Sequence, residues 1–542
     1  MSATDHTDAT VSGAVLSGGE ALVAALDTHG ARTVFGIPGT HNLPIYAALA
    51  QYGIRHVSPR HEQGGAFAAD GWARAGGRPG VCITTTGPAV LNTTTAAAQA
   101  YSDSVPLLLV SPGLPLRHPG RGNGYLHEVK DQHAALDAVV AYSHRVTSVE
   151  EIPAAVAQAY AAMATGRPRP VHLEIPLDLL DERVPVQLVA PVPVPPAAPA
   201  AAPVAAAARA LGDAERPVVI AGGGCSGAAP ELLELAERLG APVVTTANGK
   251  GVFDDGHPLA IGAGVHHAAV RALVADSDAV LAVGTELAPA DLWNGPLDIN
   301  GPLVRIDVDA QAVITNARPD IAVVADAALA LRAVCDRLRP GGPAVPGHAR
   351  AAGARTAFTA QARAEGAGYL GLTAALAGAL GRDGILVGDS AMACYYGALS
   401  NLPAHRPRSF LYPTGLGTLG YGLPAAIGAK LARPETPVIA LHGDGGIMFT
   451  IQELASAAQL RLPLPVVVSD NGGYGEIRNE MADRADPVHA VDLPSPDFAA
   501  IARAMGCHGL RADSCEQLAS SLESALTADR PTLIHLPEDA AR

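Results

Sequence analysis

The stretch VIALHGDGGIMFT, residues 438–450, ends an apolar strand-like run in a carboxylate, Asp444, set between Gly443 and the pair Gly445 and Gly446. A helix-like stretch, FTIQELASAAQL, follows, and then a second strand-like run, LPVVVSDN, ending in Asn471. Strand, helix and strand form one βαβ unit, whose right-handed crossover lays the strands parallel and close in the sheet. Asp444 and Asn471 then both fall at strand carboxyl ends, where open parallel sheets bind ligands. A carboxylate, an amide oxygen and the carbonyls of NGGYG make a hard-oxygen set. Such a set suits Mg²⁺, which takes few protein oxygens and fills its octahedron with phosphate and water. Glycines let a backbone approach a phosphate, but the carboxylate would repel it unless a cation stood between them. Asp444 thus reads as holding a metal that in turn holds a phosphate. Taken alone, Gly-Asp-Gly is equally an ordinary turn whose Asp caps a helix; the placement of Asn471 favours the metal.

Elements of this kind recur along the chain. Three segments alternate short β-rich runs with Ala/Leu-rich helical patterns, which signals α/β domains with parallel sheets. RTVFGI, GVCITTT, PLLLV and PVHLEI read as strands of the first, with GEALVAALDTHG and EQGGAFAADGWARA as helices. PVVIAGGG, APVVTT, AVLAVG and LVRIDVD are strands of the second, and ILVGD, PVIALHGD, PVVVSDN and PTLIHL of the third. The Pro/Ala-rich QLVAPVPVPPAAPAAAPVAAAA and the Pro/Gly-rich RPGGPAVPGHARAAG separate them. The expected division is a domain over 1–185, a linker over 186–205, a central domain over 206–340, a linker over 341–360 and a third domain over 361–542.

The 542 residues are 49% hydrophobic and 16% charged, with 58 Gly and 44 Pro, which suits large buried sheets joined by tight loops and excludes global disorder. The formal charge of −15, with no block of basic residues, argues against a nucleic-acid partner. The six cysteines are scattered without a CxxC pair, so no disulfide framework or zinc site is expected, and a reducing, cytoplasmic setting fits. The start, MSATDHTDATVSG, has neither a basic nor an apolar leader region, and the longest uncharged run is broken by proline. Neither a signal peptide nor a membrane span is expected.

GDG at 443–445 and DN at 470–471 resemble the signature of the thiamine-diphosphate-dependent 2-oxoacid decarboxylases and acetohydroxyacid (acetolactate) synthases, GDG followed by an Asn pair. The first Asn is Asp470 here; the second, the metal ligand of the family, is retained as Asn471. VFGIPGTHNLPIYAAL, RHEQGGAFAADGWARAGGRPGVCITTTGPAVLN, YSDSVPLLLV and GLGTLGYGLPAAIGAKLA are similar to the family in the same order, so the likeness covers nearly the whole chain. It implies an α/β fold of three parallel-sheet domains: pyrimidine-binding, central Rossmann-like and diphosphate-binding. It also implies thiamine diphosphate and Mg²⁺ as cofactors, with the metal on Asp444, Asn471 and the Gly473 carbonyl. Gly443, Gly445, Gly446, Tyr474, Pro88 and Asn92 are carried over as cofactor neighbours.

By the same resemblance, Glu62 hydrogen-bonds the aminopyrimidine N1′ and promotes the tautomer that forms the ylide, cofactor chemistry positioned by protein. From position alone it is equally a first-turn Glu favoured by the helix dipole. In GLGTLGYG, Leu419 would support the bent cofactor and the Gly417 carbonyl would accept from its 4′-amino group. In VGDSAMACYYG, Ser390 is a diphosphate donor, whereas Asp389 would place negative charge beside phosphate. The loop GRGNGYLHEVKDQ offers His127 and Glu128 for proton transfer. PGTHN offers Thr40 and His41 to the substrate pocket, and Glu476 lies just past the metal loop. AGGGCSG, with Gly222, Gly224 and Gly227, fits a dinucleotide fingerprint, but Asp254 and Asp255 lie too far along to serve a ribose, and no bound nucleotide is expected.

Synthases of the family usually carry IPKDV; here EIPLDLL places Leu177 at the lysine, and their Arg-containing central motif is not apparent in VGTELAPADLWNG. GRGNGYLHEVKDQ, RPRPVHLEIPLDLL and NGGYGEIRNEM are similar instead to 5-guanidino-2-oxopentanoate decarboxylases. Glu128, Asp291 or Glu476 would pair with such a cationic tail. The implied reaction is decarboxylation of a 2-oxoacid through an enamine, with protonation giving an aldehyde; capture by a second carbonyl compound would give a hydroxyketone instead. The resemblance also implies a homodimer or homotetramer in which Glu62 and Asp444 serve one cofactor from different subunits. Two other classes stand beside this reading: a dinucleotide-dependent oxidoreductase, and a non-catalytic cofactor-binding protein, against which Glu62 counts.

Overall fold

The computed structural model describes residues 13–339 and 347–541. Three six-stranded sheets carry the chain, and every pairing within them is parallel. In the first sheet the strands lie in the order Arg55–Val57, Thr33–Gly36, Gly80–Ile83, Leu107–Gly113, Val171–Pro176 and Tyr142–Arg145. In the second the order is Ala260–Ala263, Val243–Thr245, Pro217–Ala221, Ala279–Val283, Leu303–Asp307 and Ile321–Val324. In the third it is Phe410–Leu411, Ile385–Gly388, Val438–Gly443, Pro465–Asp470, Thr532–Pro537 and His508–Arg511. The inner strands are apolar runs buried from end to end, as sheets covered by helices on both faces require. The short strands at the sheet edges, such as Tyr142–Arg145 and His508–Arg511, are polar and half-exposed, and carry little hydrophobic signal in the sequence. A two-stranded antiparallel pair, Ala14–Ser17 with Arg183–Val186, closes the first domain.

The segment 187–200 is extended coil, and a helix, Ala201–Gly212, takes over at the Ala-rich end of the first expected linker. Much of the second expected linker, 341–360, is helical. Residues 340–346 lie outside the described residues, but Gly347–Glu365 is a continuous helix. Its arginines fasten it to the central sheet: Arg350 donates to the Pro217 carbonyl, and Arg355 to those of His257 and Ala260. Phe358 is buried against Gly262. A polar, Gly-containing sequence is helical here because its contacts are supplied from another domain.

One hydrophobic core runs from the first domain into the third. Its spine is the packing of helix Glu62–Gly76 against helix Gly422–Ala432. A Cβ at Gly71 would lie 2.0 Å from the Ala425 carbonyl oxygen, and one at Gly428 1.8 Å from that of Ala68. The two backbones touch, which only glycine permits. Arg74 ties all three domains together, donating to Asp70 at 2.8 Å, Asp103 at 2.6 Å, Asn248 at 3.3 Å and the Tyr412 carbonyl at 3.1 Å. All six cysteines are free thiols. Among the described residues no helix is long and apolar enough to cross a membrane.

Candidate active site

Strands Val438–Gly443 and Pro465–Asp470 are direct neighbours, with Gly443 opposite Ser469. This register brings Asp444 and Asn471 together, and the Asn471 N–H donates to Asp444 Oδ1 at 3.4 Å. Asp444 is buried, and its carboxyl is pushed up to about 6, first by burial and then by the nearby Asp470 carboxylate. Asn471 Oδ1 is buried with no hydrogen-bond partner among the described residues. An acceptor oxygen without a donor, beside a buried carboxyl, fits a hard cation. Gly473 lines the same cavity, so the oxygen set expected from the sequence is assembled in one place.

Asp470, where the family pattern has Asn, faces away from this set. It accepts from His535 Nε2 at 2.7 Å, from Ser495 Oγ at 2.8 Å and from the Gly472 N–H at 3.0 Å. These bonds pin the loop that carries Asn471 and Gly473, and they outweigh burial to hold the Asp470 carboxyl below its usual range.

The cavity at this edge measures about 250 Å³. Gly443, Asp444, Gly445, Gly446, Asn471, Gly473 and Tyr474 line it together with Ser390, Gly417, Leu419 and Glu476. Every third-domain residue expected to touch the coenzyme or the metal therefore lies at this cavity. Gly446 has no room for a side chain, since a Cβ there would meet Asp389 Oδ2 at 2.8 Å and Leu419 Cδ2 at 3.5 Å.

Asp389, awkward beside a phosphate in the sequence, is fully buried and turned inward. Its carboxylate accepts from the N–H groups of Ser390, Gly420 and Tyr421 and from His442 Nδ1. It fastens the turn that presents Leu419.

The first-domain candidates gather on a different edge and do not line the Asp444 cavity. Glu62 opens helix Glu62–Gly76, half-buried, and its Oε2 accepts from Asn92 Nδ2 at 2.9 Å. Pro88 starts the short helix that ends beside Asn92. The His41 and His127 rings meet edge to face at 5.1 Å, and their Nδ1 atoms share the Thr86 hydroxyl at 2.6 and 3.1 Å. Burial, then His127, hold the His41 imidazole below its usual range. Thr40 is exposed at the start of the same turn. His127 has φ +64, a left-handed conformation rare for a side chain of this kind, and is the sort of outlier found at working sites. Glu128 is engaged within its own loop, where Oε2 accepts from the N–H groups of Asn123, Gly124 and Tyr125, and His118 stands at 3.3 Å from Oε1.

Sequence reasoning missed two residues of this edge. Thr86 links the histidines. Glu453, fully buried in the third domain, accepts from the Arg60 N–H at 2.9 and 3.1 Å and the His61 N–H at 3.0 Å, and so holds the start of the helix that carries Glu62. A Glu on a helical pattern gives no sign of a partner nearly four hundred positions away.

In the central domain Gly222 and Gly224 of AGGGCSG are spent on packing, whereas Gly227 has open space around it. A Cβ at Gly222 would lie 2.2 Å from the Gly284 carbonyl oxygen, and one at Gly224 2.7 Å from Gly284 Cα. The same domain supplies Asp291, His266 and Trp293 to a second cavity of about 290 Å³ that shares Ser390, Tyr395 and Glu476 with the first.

Comparison with known proteins agrees with this architecture. The model for the N-terminal TPP binding domain of thiamine pyrophosphate enzymes matches residues 16–136, that for the central domain 204–334 and that for the C-terminal TPP binding domain 387–536. The chain is 41% identical over 532 residues to a probable 2-ketoarginine decarboxylase of Pseudomonas aeruginosa, covering 97% of this chain and 95% of that protein. It is 32% identical over 565 residues to a probable acetolactate synthase large subunit of Methanocaldococcus jannaschii, covering 97% and 92%. It is 35% identical over 554 residues to the acetolactate synthase large subunit of Parasynechococcus marenigrum, covering 96% and 87%. With all three of its sheets matched in order and its relatives aligned almost end to end, the chain belongs to the thiamine pyrophosphate enzymes, as an enzyme of the decarboxylase and acetolactate synthase-like group.

Proposed function

We propose that the protein is a Mg²⁺- and thiamine-diphosphate-dependent decarboxylase of 5-guanidino-2-oxopentanoate, releasing CO₂ and 4-guanidinobutanal. The observation that carries the reading is the orphaned Asn471 Oδ1 beside the buried Asp444 carboxyl, in a cavity that also presents Leu419 and Ser390. The 2-ketoarginine decarboxylase relative supports the choice of substrate.

Asp444, Asn471 and the Gly473 carbonyl would hold Mg²⁺, and Ser390 would donate to the diphosphate. When bound, the coenzyme supplies the electron sink for the pair left behind as CO₂ departs. Glu62, steadied by Asn92, holds and returns a proton at the pyrimidine N1′. Leu419 would offer its apolar side chain to the coenzyme, and the Gly417 carbonyl would accept from its amino group. His127 and His41, joined through Thr86, would hold a proton for the carbon that loses CO₂. Thr40 stands at the rim of that pair.

The Glu62 edge does not line the Asp444 cavity of its own chain, which supports a working unit of two copies, with Glu62 of one facing Asp444 of the other. A homodimer is then the smallest working unit, and a homotetramer is two of them. Six free thiols suit a cytoplasmic setting.

A CO₂-release screen over 2-oxoacids, with aldehyde and hydroxyketone measured in the same samples, tests the reading. CO₂ and 4-guanidinobutanal in equal amounts are expected. The acetolactate synthase relatives favour a second reading, carboligation to a hydroxyketone. Hydroxyketone as the main product would select it, and binding of the coenzyme without CO₂ from any 2-oxoacid would leave a non-catalytic binding protein.

A further inference from the structure

The second cavity carries charge that no protein cation answers. Asp291 accepts from the Ala247 N–H at 3.1 Å and is half-buried, with its accessible part in this cavity. Glu476 reaches the same space from the third domain: Oε1 accepts from the Tyr396 hydroxyl at 2.7 Å, while Oε2 is buried with no hydrogen-bond partner among the described residues. None of the residues lining the cavity is Lys or Arg. Two carboxylates line one cavity, with only tyrosine hydroxyls and a backbone N–H to answer them, and a cation between them would offset their charge.

The walls say which cation. The Trp293 indole stacks on His266 at 3.8 Å and 13°, and the Tyr395 and Tyr396 rings stand edge-on to it at 6.4 and 6.0 Å. His266 is buried and fixed from behind by Glu365, whose Oε2 lies 3.5 Å from its Nε2. Trp293 itself is held at φ 49°, ψ −50°, a strained conformation for an aromatic residue, with its indole N–H donating to the Ala290 carbonyl at 2.9 Å. Flat aromatic surfaces beside forked acceptors suit a planar guanidinium, which stacks and bonds in two directions, better than a compact ammonium. The volume, about 290 Å³, is small for a whole ligand but ample for one arm of it.

We propose that this cavity is a guanidinium receptor, in which Asp291 and Glu476 provide the opposing charge and Trp293, Tyr395 and Tyr396 the flat walls. The inference rests on the decarboxylase reading for its substrate and adds the residues that choose it. Ser390, Tyr395 and Glu476 line both cavities, so an extended ligand would place its oxoacid end at the coenzyme and its cationic end here. The central domain, with no nucleotide expected in it, thereby gains a role in recognition, reading the far end of the substrate.

The test uses stable ligands, so that binding is read without turnover. The enzyme loaded with thiamine diphosphate and Mg²⁺ is titrated calorimetrically with 4-guanidinobutanoate and its neutral isostere 4-ureidobutanoate. The native protein is expected to prefer the guanidino compound by about 100-fold, the range in which a buried polar site rejects a ligand lacking its charge. Asp291→Asn, which preserves shape, is expected to cut that preference by about 30-fold, and Trp293→Leu by several-fold. Equal affinity for the two compounds in the native protein, or an unchanged preference in a folded Asp291→Asn variant, would overturn the receptor. CO₂ release from other 2-oxoacids would then still leave the decarboxylase standing. A strong guanidino preference that Asp291→Asn abolishes, in a protein that releases no CO₂ from any 2-oxoacid, would uphold the receptor and refute the decarboxylase.

Discussion

The Asp389 carboxylate accepts from the backbone N–H of Gly420 at 2.9 Å, with both residues buried, and through this bond a strand end positions the turn that carries Leu419. The carboxylate faces the turn and His442, so its charge is answered by donors before any phosphate arrives. The site is thus organised by acids that never touch a ligand, as well as by those that do.

Glu62→Gln should abolish most turnover while leaving the fold intact. The amide keeps the contact with Asn92 but cannot exchange a proton. A loss of kcat by at least about 100-fold is expected, the scale of a single acid–base group. CO₂ release and the thermal midpoint, measured together on the loaded enzyme, decide it: normal turnover in a folded variant removes the assigned role.

Asp444→Ala and Asn471→Ala should each raise the Mg²⁺ concentration needed to retain the coenzyme. Both delete an oxygen from the cavity, and Asp444→Ala also deletes the charge directed at the metal. Titrating Mg²⁺ into the apo protein with thiamine diphosphate present should show the midpoint moving by more than about tenfold for Asp444→Ala, the usual size of a lost metal contact. Unchanged retention would place the cation elsewhere.

Much of the third domain's edge was legible in the sequence because its residues lie within a few positions of strand ends, and a βαβ unit fixes where those ends go. Asp444 and Asn471 are such a pair. The supports were not legible. Glu453, Asp389 and Thr86 act through partners far along the chain, and nothing local marks a buried Glu that caps another domain's helix. Glu128, a candidate in the sequence, is engaged by three amides of its own loop, contacts that its position gave no sign of. The helix Gly347–Glu365 was hidden by composition, since Pro and Gly precede it and the contacts that stabilise it come from elsewhere. The edge strands Tyr142–Arg145 and His508–Arg511 were missed for want of apolar residues.

Glu453→Ala should destabilise the protein by about 2–4 kcal/mol, because the Arg60 and His61 amides lose their acceptor in a buried place. Activity should fall as well, since the freed helix start carries Glu62. Glu453→Gln keeps an acceptor oxygen and should recover most of the stability. A shift in the denaturant midpoint for Ala, with recovery for Gln, is the expected pattern; equal midpoints would mean the bonds are dispensable.

The guanidino substrate should bind less well in acid. Burial pushes the Asp291 carboxyl from an ordinary 3.8 up to about 6, with Asp103 and Glu286 acting in the same direction and the Ala247 N–H against it; His266 and Glu476 also face the cavity. Only the ionised form attracts the substrate, so KM should climb as pH falls through about 6, approaching tenfold per unit, while KM for a neutral isostere stays level.

Stability should follow the same group with the reverse sense. A carboxyl whose folded pKa is raised favours the fold in acid, below the unfolded value, and that contribution is lost as pH rises through about 6. Asp291→Asn should therefore raise the melting temperature of the unliganded protein at neutral pH and bring no gain in acid. A lower melting temperature at neutral pH would count against the strain assigned to this carboxylate.

The contact between Gly71 and Ala425, and its mirror between Gly428 and Ala68, leaves no layer of side chains that could slide or be repacked. A fragment holding only one of these helices would bare a ridge of naked peptide backbone. The first and third domains cannot be prised apart and studied singly, and heating should melt them together as one cooperative unit.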